Sequence, residues 1–362
     1  MPHPAQLPRS RHTKNATRGP LGALEHAKAP TPRPGPCEAL SAAPARADAY
    51  SAAHALVGGP DPIPAHRWQG SKARVWRQIL GHPVLRLASR STTPFRRWIE
   101  PFYGCGVTAQ AAITHRVAHT YLLADLCGPL AVAHRTLAAQ PDVLLARLAL
   151  LAPRVDADAD ELRRAYSAAA QWMRHHCREL LTARGALTPH LLTAARFFLL
   201  LGSNFNGLWR VNSDGEYNVP IGARTSGKPI VFNLAAARDG LLAQAAALAR
   251  PGVQLVCADM LAVIAEAGPG DVVYADPPYL GTHSAYTAGK FSAALHTQLA
   301  VALRGAARRG ATVLLSNSAS PLTQEIYVRE GDSVSVVQAL RTGGRTVESR
   351  GVVGELLIQI RA

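Results

Sequence analysis

Cysteine is scarce in this sequence, and no apolar segment is long. Its 362 residues include five cysteines, none of them spaced as Cys-x-x-Cys. This argues against a disulfide framework and against the common zinc-ligand patterns, and it fits a reducing compartment. No apolar run reaches the roughly 18–20 residues that a membrane-spanning helix needs. We therefore expect a soluble, cytoplasmic protein without a bound metal.

Acidic side chains are outnumbered. Asp and Glu number 24 against 39 Lys and Arg, so the formal net charge is +15. Such a charge favours a polyanionic partner such as nucleic acid. Only five of the basic residues are lysines, and a richness in arginine and alanine also reflects GC-rich genomes. Charge alone therefore leaves both explanations open.

Residues 1–60 have no apolar periodicity and are rich in Pro, Ala, Ser and single basic residues. A segment of this composition cannot bury enough surface to offset the entropy lost on ordering. It also lacks the continuous apolar stretch of a secretory signal. We predict a disordered basic arm, which could be an inert tail or could lie along DNA phosphates.

The remaining residues have the pattern of an α/β protein with a parallel sheet. Short apolar runs, typical of buried strands, alternate with helical stretches. The predicted strands are Arg97–Phe102, Thr120–Leu126, Val253–Ala258, Val272–Ala275 and Thr312–Ser316, followed by an antiparallel pair, Val334–Ala339 and Glu355–Ile360. A helical region rich in Ala, Leu and Arg separates the second strand from the third. We predict one domain formed by residues 61–130 and 251–362, with residues 131–250 as an insertion.

The segment Glu-Pro-Phe-Tyr-Gly-Cys-Gly, residues 100–106, lies where the first strand should end and a helix begin. Gly104 and Gly106 allow a tight turn and a close approach of the backbone to a ligand, although an ordinary strand-to-helix turn also uses glycine. The dinucleotide fingerprint is incomplete, because Ala109 occupies the place of its third glycine. Asp125 ends the second strand about twenty residues on, where an acid commonly accepts hydrogen bonds from ribose hydroxyls. Together these features predict a nucleoside-containing cofactor.

The tetrapeptide Asp276-Pro277-Pro278-Tyr279 directly follows a predicted strand. Two prolines cannot continue the ladder, and they hold the backbone extended and stiff. The Asp276 carboxylate and the Pro277 carbonyl can then accept two N–H bonds from the exocyclic amine of a planar base, while the Tyr279 ring stacks on its face. A purely structural turn is the alternative, and the preceding strand favours the functional interpretation.

These motifs, in this order, resemble those of amino-methylating DNA methyltransferases. Residues 67–72, Arg-Trp-Gln-Gly-Ser-Lys, look like the Trp-x-Gly-Gly-Lys opening of the Dam-type adenine methyltransferases (class alpha, D12 family). Residues 204–222, from Asn-Phe-Asn-Gly to Val-Pro-Ile-Gly, are similar almost residue for residue to that family's target-recognition hairpin. The segments Ser-Asn-Ser at 316–318, Gly-Gly-Arg at 343–345 and Gly-Glu-Leu-Leu at 354–357 agree with its tail. The resemblance extends from Arg67 to Ile360.

The resemblance implies a Rossmann-like S-adenosylmethionine-dependent methyltransferase sheet with a mainly helical target-recognition insertion. Residues 61–130 and 251–362 would form the catalytic domain, and residues 131–250 the insertion that binds double-stranded DNA. By motif, the pocket for S-adenosyl-L-methionine comprises Trp68, Lys72, Phe102, Gly104, Gly106, Asp125, Asp259 and Asp276. Asp259 could also be an ordinary helix cap. Ser71 departs from the family's second glycine, which leaves the local backbone less free.

The implied reaction is methyl transfer to N6 of a flipped adenine, most often within GATC. Asp276, Pro277 and Tyr279 are the implied catalytic residues, and they act mostly by positioning and local electrostatics. The adenine must leave the base stack to reach them. The implied DNA contacts are Arg67, Phe205, Asn206, Leu208, Arg210, Pro220 and Arg345, of which Arg210 suits a guanine edge and Arg345 a phosphate.

Other functions are open at this point. A cytosine-N4 methyltransferase would be nearly the same kind of enzyme, although its tetrapeptide usually begins with Ser. A protein-glutamine or RNA methyltransferase could use a similar tetrapeptide but would not explain residues 204–222. A DNA-binding relative without activity would not need Asp276, Lys72 and Asp125. We expect a bacterial or phage-encoded enzyme, as in restriction-modification systems; the sequence indicates neither a partner restriction enzyme nor an oligomeric state.

Overall fold

The computed structural model describes residues 61–85, 94–154, 156–280, 291–341 and 351–362. The predicted arm, residues 1–60, lies outside them, as does Arg345. The strands are β1 Phe95–Glu100, β2 Ala118–Asp125, β3 Val253–Cys257, β4 Asp271–Ala275, β5 Thr312–Ser318, β6 Ser333–Arg341 and β7 Gly351–Ile360.

The described residues also form helices, some of which pack on the sheet and others on neighbouring helices. They are α1 Trp76–Leu80, α2 Val107–Thr114, α3 Gly128–Ala139, α4 Pro141–Leu151, α5 Ala159–Thr182, α6 Leu191–Ser203, α7 Leu234–Leu248, α8 Met260–Ala265, α9 Ala293–Arg308 and α10 Pro321–Tyr327. In the described part of the chain, each helix is too short or too polar to cross a bilayer.

The strands form one seven-stranded sheet in the order β3-β2-β1-β4-β5-β7-β6. Neighbours among β1 to β5 are parallel, whereas β7 is antiparallel to both β5 and β6. The predicted parallel sheet, its closing antiparallel pair and the Rossmann-like class are therefore confirmed. Strand ends differ from the prediction by a few residues. The first strand stops at Glu100 and not at Phe102, because Pro101 has no N–H group for the ladder.

Each face of the sheet carries its own apolar core, since successive side chains of a strand point to opposite sides. On one face, Trp98, Leu123 and Tyr274 belong to a cluster completed by α2, α3 and α7. On the other face, Ile99 and Val273 belong to a second cluster, which α8, α9 and α10 complete. The sheet is thus buried on both sides, as its apolar strand sequences predict.

The region between β2 and β3 is mainly helical. Its buried centre is α6, which contacts α3, α4 and α5 and includes the fully buried Phe197 and Leu200. After α6 the chain runs through residues 204–233 without a regular strand, joined instead by single antiparallel bridges such as the one between Val211 and Tyr217. The predicted boundaries of the insertion, 131 and 250, stay a prediction.

Parallel pairing brings the carboxyl ends of β1, β2, β3 and β4 to one edge of the sheet. Because β7 runs the other way, its early residues reach the same edge, and Glu355 lies opposite Ser318 at the end of β5. Four buried or half-buried acids from distant parts of the sequence therefore come to this edge: Glu100, Asp125, Asp276 and Glu355.

Candidate active site

Lys72 is buried at the centre of this edge, on the short segment before α1. Gly70 has a φ of 86°, and the backbone N–H of Ser71 donates to the Trp68 carbonyl at 3.2 Å. The turn carries Lys72 into the protein, where its side chain is 5% exposed. Gly70 adopts the left-handed conformation and Ser71 does not. A serine therefore fits in place of the family's second glycine.

The ammonium group of Lys72 connects several parts of the site. Its Nζ lies 2.7 Å from Oδ2 of Asp276 and donates at 3.0 Å to the Tyr279 hydroxyl and at 3.1 Å to the Gly70 carbonyl. Oε1 of Glu355 lies 3.4 Å away. Burial disfavours the charge, but Asp276, Tyr279 and Glu355 outweigh it and hold the pKa of Lys72 well above its usual value.

Asp276 directly follows β4, and its carboxylate is mostly buried. Burial raises the pKa of Asp276 to about 6; Lys72 opposes this rise and Glu355 adds to it. Oδ2 contacts Lys72, whereas Oδ1 is buried and has no hydrogen-bond partner within the described residues. Leaving a buried acceptor unpaired is costly. The site therefore presents an acceptor that suits the N–H group of a ligand.

The two residues predicted to act with Asp276 lie beside it. Pro277 is buried and Tyr279 is half-buried. The Tyr279 ring centroid lies 5.0 Å from Nζ of Lys72, and burial raises the pKa of the Tyr279 phenol above its usual value, so the hydroxyl stays neutral. Lys72 thus joins the predicted catalytic turn to the segment that begins at Trp68.

The glycine turn between β1 and α2 packs against Trp68. Gly104 has a φ of 53°, and a Cβ built on it would lie 2.9 Å from Nε1 of the indole. Gly106 has a φ of 73° directly before α2, and a Cβ there would overlap Gln244 and Tyr103. Neither position can carry a side chain unless its neighbours move. At both glycines the space that a side chain would need is filled by other side chains of the protein, so this packing accounts for the glycines, and their contact with a cofactor stays a prediction.

Asp125 ends β2, and its carboxylate accepts a hydrogen bond from the same glycine turn. Its Oδ2 accepts from the Gly104 N–H and its Oδ1 from the Cys127 N–H, both at 2.9 Å. Burial raises the pKa of Asp125, and these backbone donors oppose the rise. Each carboxylate oxygen can accept a further bond, so the predicted ribose contact is compatible with these backbone bonds. Phe102, nearby after β1, is half-buried and meets Phe291 edge-on, with 5.8 Å between ring centroids.

Asp259 is exposed and forms the N-cap of α8. Its Oδ1 accepts from the Leu261 N–H at 2.8 Å. The side chain therefore has the structural role that was the alternative to cofactor binding. A contact with the amine of the cofactor's adenine stays a prediction, and it would fall to Oδ2.

Two buried acids of the site were missing from the sequence-based set. Glu100 ends β1 and accepts from Nε1 of Trp98 at 2.9 Å, and burial raises the pKa of Glu100 well above its usual value. Glu355 lies in β7 beside Lys72. Each is the single acid of its strand: Glu100 ends Phe-Arg-Arg-Trp-Ile-Glu, and Glu355 lies within the mainly apolar β7. Because acids are seldom buried without a partner, this placement was the available signal.

A short turn after α6 lies directly against Arg67. A Cβ on Gly207 would come within 2.7 Å of the Arg67 Cβ, so glycine permits the contact. Phe205 is 42% exposed, and the exposed Asn206 beside it has a left-handed φ of 57°. Leu208 follows, half-buried. The structure thus brings four of the predicted DNA contacts to one surface.

The other three predicted DNA contacts, Arg210, Pro220 and Arg345, are each in a different situation. Arg210 is engaged within the insertion, because its Nε donates to Oδ1 of Asn218 at 2.7 Å and its Nη2 to the Asn218 carbonyl at 2.9 Å. A bidentate contact with guanine would have to replace these bonds or use Nη1. Pro220 is exposed near the tip, and its carbonyl accepts from the Phe205 N–H at 3.1 Å. Arg345 lies outside the described residues.

The sheet topology and the acidic edge define a Rossmann-like methyltransferase of α/β class. The model of the D12 class N6 adenine-specific DNA methyltransferase family matches residues 68–342. The chain belongs to this family. Among its described residues, no group of three or more His, Cys, Asp or Glu side chains is arranged to hold a metal ion.

Proteins similar to this chain have names that match this family. The type II methyltransferase M1.LlaDCHI of Lactococcus lactis subsp. cremoris is 32% identical over 170 residues, which are 46% of this chain and 57% of that protein. The DNA N-6-adenine-methyltransferase of Escherichia phage P1 is 30% identical over 300 residues, 80% of this chain and 34% of that protein. The retron Ec67 DNA adenine methylase of Escherichia coli is 24% identical over 316 residues, 82% of this chain and 98% of that protein. The chain thus spans less than two thirds of the first two relatives.

Proposed function

We propose that this protein transfers a methyl group from S-adenosyl-L-methionine to N6 of an adenine flipped out of double-stranded DNA, as a site-specific adenine methyltransferase. The observation that carries the proposal is the unpartnered Oδ1 of Asp276, buried beside Lys72 at the end of β4. An exocyclic amine supplies the N–H group that this oxygen lacks. Family membership supports adenine as the base and DNA as the substrate.

The chemistry requires the site to position an amine. The N6 lone pair is delocalised into the purine ring, and hydrogen bonds from N6–H to Asp276 and to the Pro277 carbonyl favour a pyramidal nitrogen whose lone pair faces the methyl carbon. S-adenosyl-L-methionine, when bound, supplies a methyl group activated by its sulfonium. As the N–C bond forms and the C–S bond breaks, the nitrogen becomes positive. Asp276 stabilises this charge and, with a pKa of about 6, can accept the N6 proton at neutral pH.

The residues around Asp276 fit the proposed cofactor. The Trp68 indole covers Gly104 and can form an apolar wall of the pocket. Asp125 retains acceptor capacity for ribose hydroxyls. Lys72 suits a methionine carboxylate, but its protons already contact protein acceptors. It could hold the cofactor only by sharing or exchanging one of these bonds.

The insertion supports duplex DNA as the substrate. A base inside a duplex cannot reach Asp276, so it must leave the stack. The exposed Phe205 and Asn206 form a tip that could occupy the vacated position, and Arg67 lies against that tip. The net charge of +15 favours contact with phosphates. We propose GATC as the target, because residues 204–222 are similar to the recognition hairpin of the Dam-type enzymes.

The proposal is tested with radiolabelled S-adenosyl-L-methionine and a set of short duplexes. One duplex contains GATC, and four others each change one base of it. We expect label in N6-methyladenine from the GATC duplex, with single changes costing about 1–3 kcal/mol in specificity. Methylation that ignores the outer G and C would overturn the proposed target while leaving the reaction intact. Label found in cytosine, or no transfer to any duplex, would overturn the reaction.

A further inference from the structure

Lys72 is shared between two carboxylates, and only one of them belongs to the proposed catalytic turn. Asp276 is the nearer, at 2.7 Å from Nζ, and Glu355 lies at 3.4 Å. All three side chains are largely buried, with exposed fractions of 5% for Lys72, 17% for Asp276 and 9% for Glu355. One cation therefore faces two anions in a setting where solvent screens them weakly.

The two carboxylates are held by different kinds of structure. Glu355 belongs to β7, an interior strand that pairs with β5 at Ser318 and with β6 at Val337. Asp276 lies just beyond β4, at the start of the turn that carries the two prolines. Glu355 is thus fixed by hydrogen-bonded strands on both sides, and Asp276 faces the substrate edge.

We propose that Glu355 is a positioning residue of the methyl-transfer site, whose carboxylate acts through Lys72 to leave Asp276 available to the target amine. If Asp276 were the lone anion beside Lys72, the whole charge of the ammonium would be directed at it, and its acceptor strength toward N6–H would fall. With Glu355 present, the Lys72 charge is divided between two carboxylates. Asp276 then keeps more negative charge for the amine at its unpartnered Oδ1. This inference rests on the proposed methyl transfer.

The electrostatic surroundings of Asp276 support a role for the Glu355 charge. Groups from several elements act on this carboxylate or respond to it: Lys72 before α1, Glu100 on β1, Tyr274 on β4, Tyr279 in the turn and Glu355 on β7. Among them, Glu355 raises the pKa of Asp276 and Lys72 lowers it. Removing the charge of Glu355 should therefore move the ionisation of Asp276 to lower pH.

The test compares three variants in single-turnover methylation of the GATC duplex, from pH 5 to pH 8. Glu355→Gln keeps the shape and removes the charge, whereas Glu355→Asp keeps the charge and lengthens its distance to Lys72. Glu266→Gln is the matched control, because Glu266 is a half-exposed acid paired with Arg97. Binding of S-adenosylhomocysteine, measured by calorimetry, reports whether each variant retains a folded pocket.

We expect Glu355→Gln to lower the rate constant about tenfold at pH 8 and to move the acidic limb of the profile down by about half a pH unit. Glu355→Asp should lie between the wild type and Glu355→Gln in both the rate constant and the position of the acidic limb, and Glu266→Gln should match the wild type. The inference would be overturned if Glu355→Gln had the rate constant and the acidic limb of the wild type. It would also be overturned if Glu355→Gln were slower but its acidic limb stayed at the pH of the wild type. If Glu355→Gln does not fold, Glu355→Asp provides the test, and a Glu355→Asp rate constant equal to that of the wild type would overturn the inference. Failure of the proposed function is distinct, because the wild type itself would then not methylate DNA.

Discussion

Oδ2 of Asp276 lies 2.7 Å from Nζ of Lys72, while Oδ1 of the same carboxylate is buried without a hydrogen-bond partner among the described residues. The two oxygens are therefore in different situations. One is tied to the segment that begins at Trp68, and the other is open to a ligand. The Asp276 side chain can in this way bind the proposed target amine through Oδ1 while Oδ2 stays bound to Lys72, next to the proposed cofactor pocket.

Replacing Asp276 by Ala removes this acceptor. We expect the single-turnover rate constant to fall by about 10²–10³-fold or more, as when one preorganised electrostatic partner is lost. Duplex affinity should change little, because the DNA contacts proposed for Arg67 and the insertion do not involve Asp276. Rapid-quench kinetics and fluorescence anisotropy measure the two quantities. Asp156→Ala, at an exposed acid paired with Arg154, is the control; an equal loss of rate in both variants would contradict the assignment.

The pKa of Asp276 predicts an acidic limit to activity. Burial raises this pKa to about 6, and the carboxylate must be ionised to accept N6–H. Protonation therefore removes the acceptor as the pH falls, and activity should rise with pH through about 6 and level above it. Single-turnover rates between pH 5 and pH 8 on the GATC duplex check this. A profile that is flat over this range would show that Asp276 is not the group that limits the rate.

Lys72 also supports the stability of the folded state. In Lys72→Met, two largely buried carboxylates, Asp276 and Glu355, lose their shared cation, and we expect a loss of about 3 kcal/mol at pH 8. Burial already raises the pKa of Asp276 and Lys72 opposes that rise, so without Lys72 this pKa rises further, and the native variant takes up a proton and recovers stability as the pH falls. Urea unfolding at pH 8 and pH 5.5 measures both effects. Lys228→Met, at an exposed lysine, should be neutral; an equal deficit at both pH values for Lys72→Met would contradict this account.

Much of the fold could be predicted from the sequence because most strands contain a short apolar run, such as Val-Val-Tyr-Ala in β4 and Val-Leu-Leu in β5. Runs such as the one that ends in Ala275 differ clearly from the Ala- and Leu-rich helices around them. The ends of strands were less predictable. The last strand begins at Gly351 and not at Glu355, because pairing with β6 extends it beyond its most apolar residues.

Motifs indicate candidate residues where the proposed chemistry lies within one short segment, as at Asp276 and Tyr279. They did not predict contacts between distant segments. Lys72 and Glu355 meet because β7 runs antiparallel to β5, which places Glu355 beside the carboxyl end of β5, at the edge that holds Asp276. The bonds between Arg210 and Asn218 likewise depend on how residues 204–233 fold back, which the resemblance alone does not reveal.

Gly104→Ala tests whether the glycine turn forms part of the cofactor pocket. The new Cβ would lie 2.9 Å from the Trp68 indole, at a φ of 53°, so the indole must move. Gly331→Ala is a matched control, because it has a positive φ of 87° and nothing within 4 Å of the new Cβ. Both variants should lose about 1 kcal/mol of stability from the positive φ, and Gly104→Ala should lose more because the indole must also move. We expect only Gly104→Ala to weaken S-adenosylhomocysteine binding in calorimetry, by about tenfold; equal affinities in the two variants would separate this turn from the cofactor.

Substitutions of Arg210 and Asn218 distinguish a role of Arg210 in base recognition from a role in the internal structure of the insertion. If it reads a guanine, Arg210→Ala should cost about 1–3 kcal/mol and relax discrimination at one position of the target. If its bonds to Asn218 matter mainly for folding the insertion, the loss should be uniform across all duplexes. Asn218→Ala should then reproduce that loss, because it removes the Oδ1 acceptor and keeps the guanidinium.

We expect Arg210→Ala to relax discrimination at one position of the target and Asn218→Ala to keep the full preference, as measured by methylation of the five duplexes. Matching uniform losses in the two variants would instead assign Arg210 to the structure of the insertion.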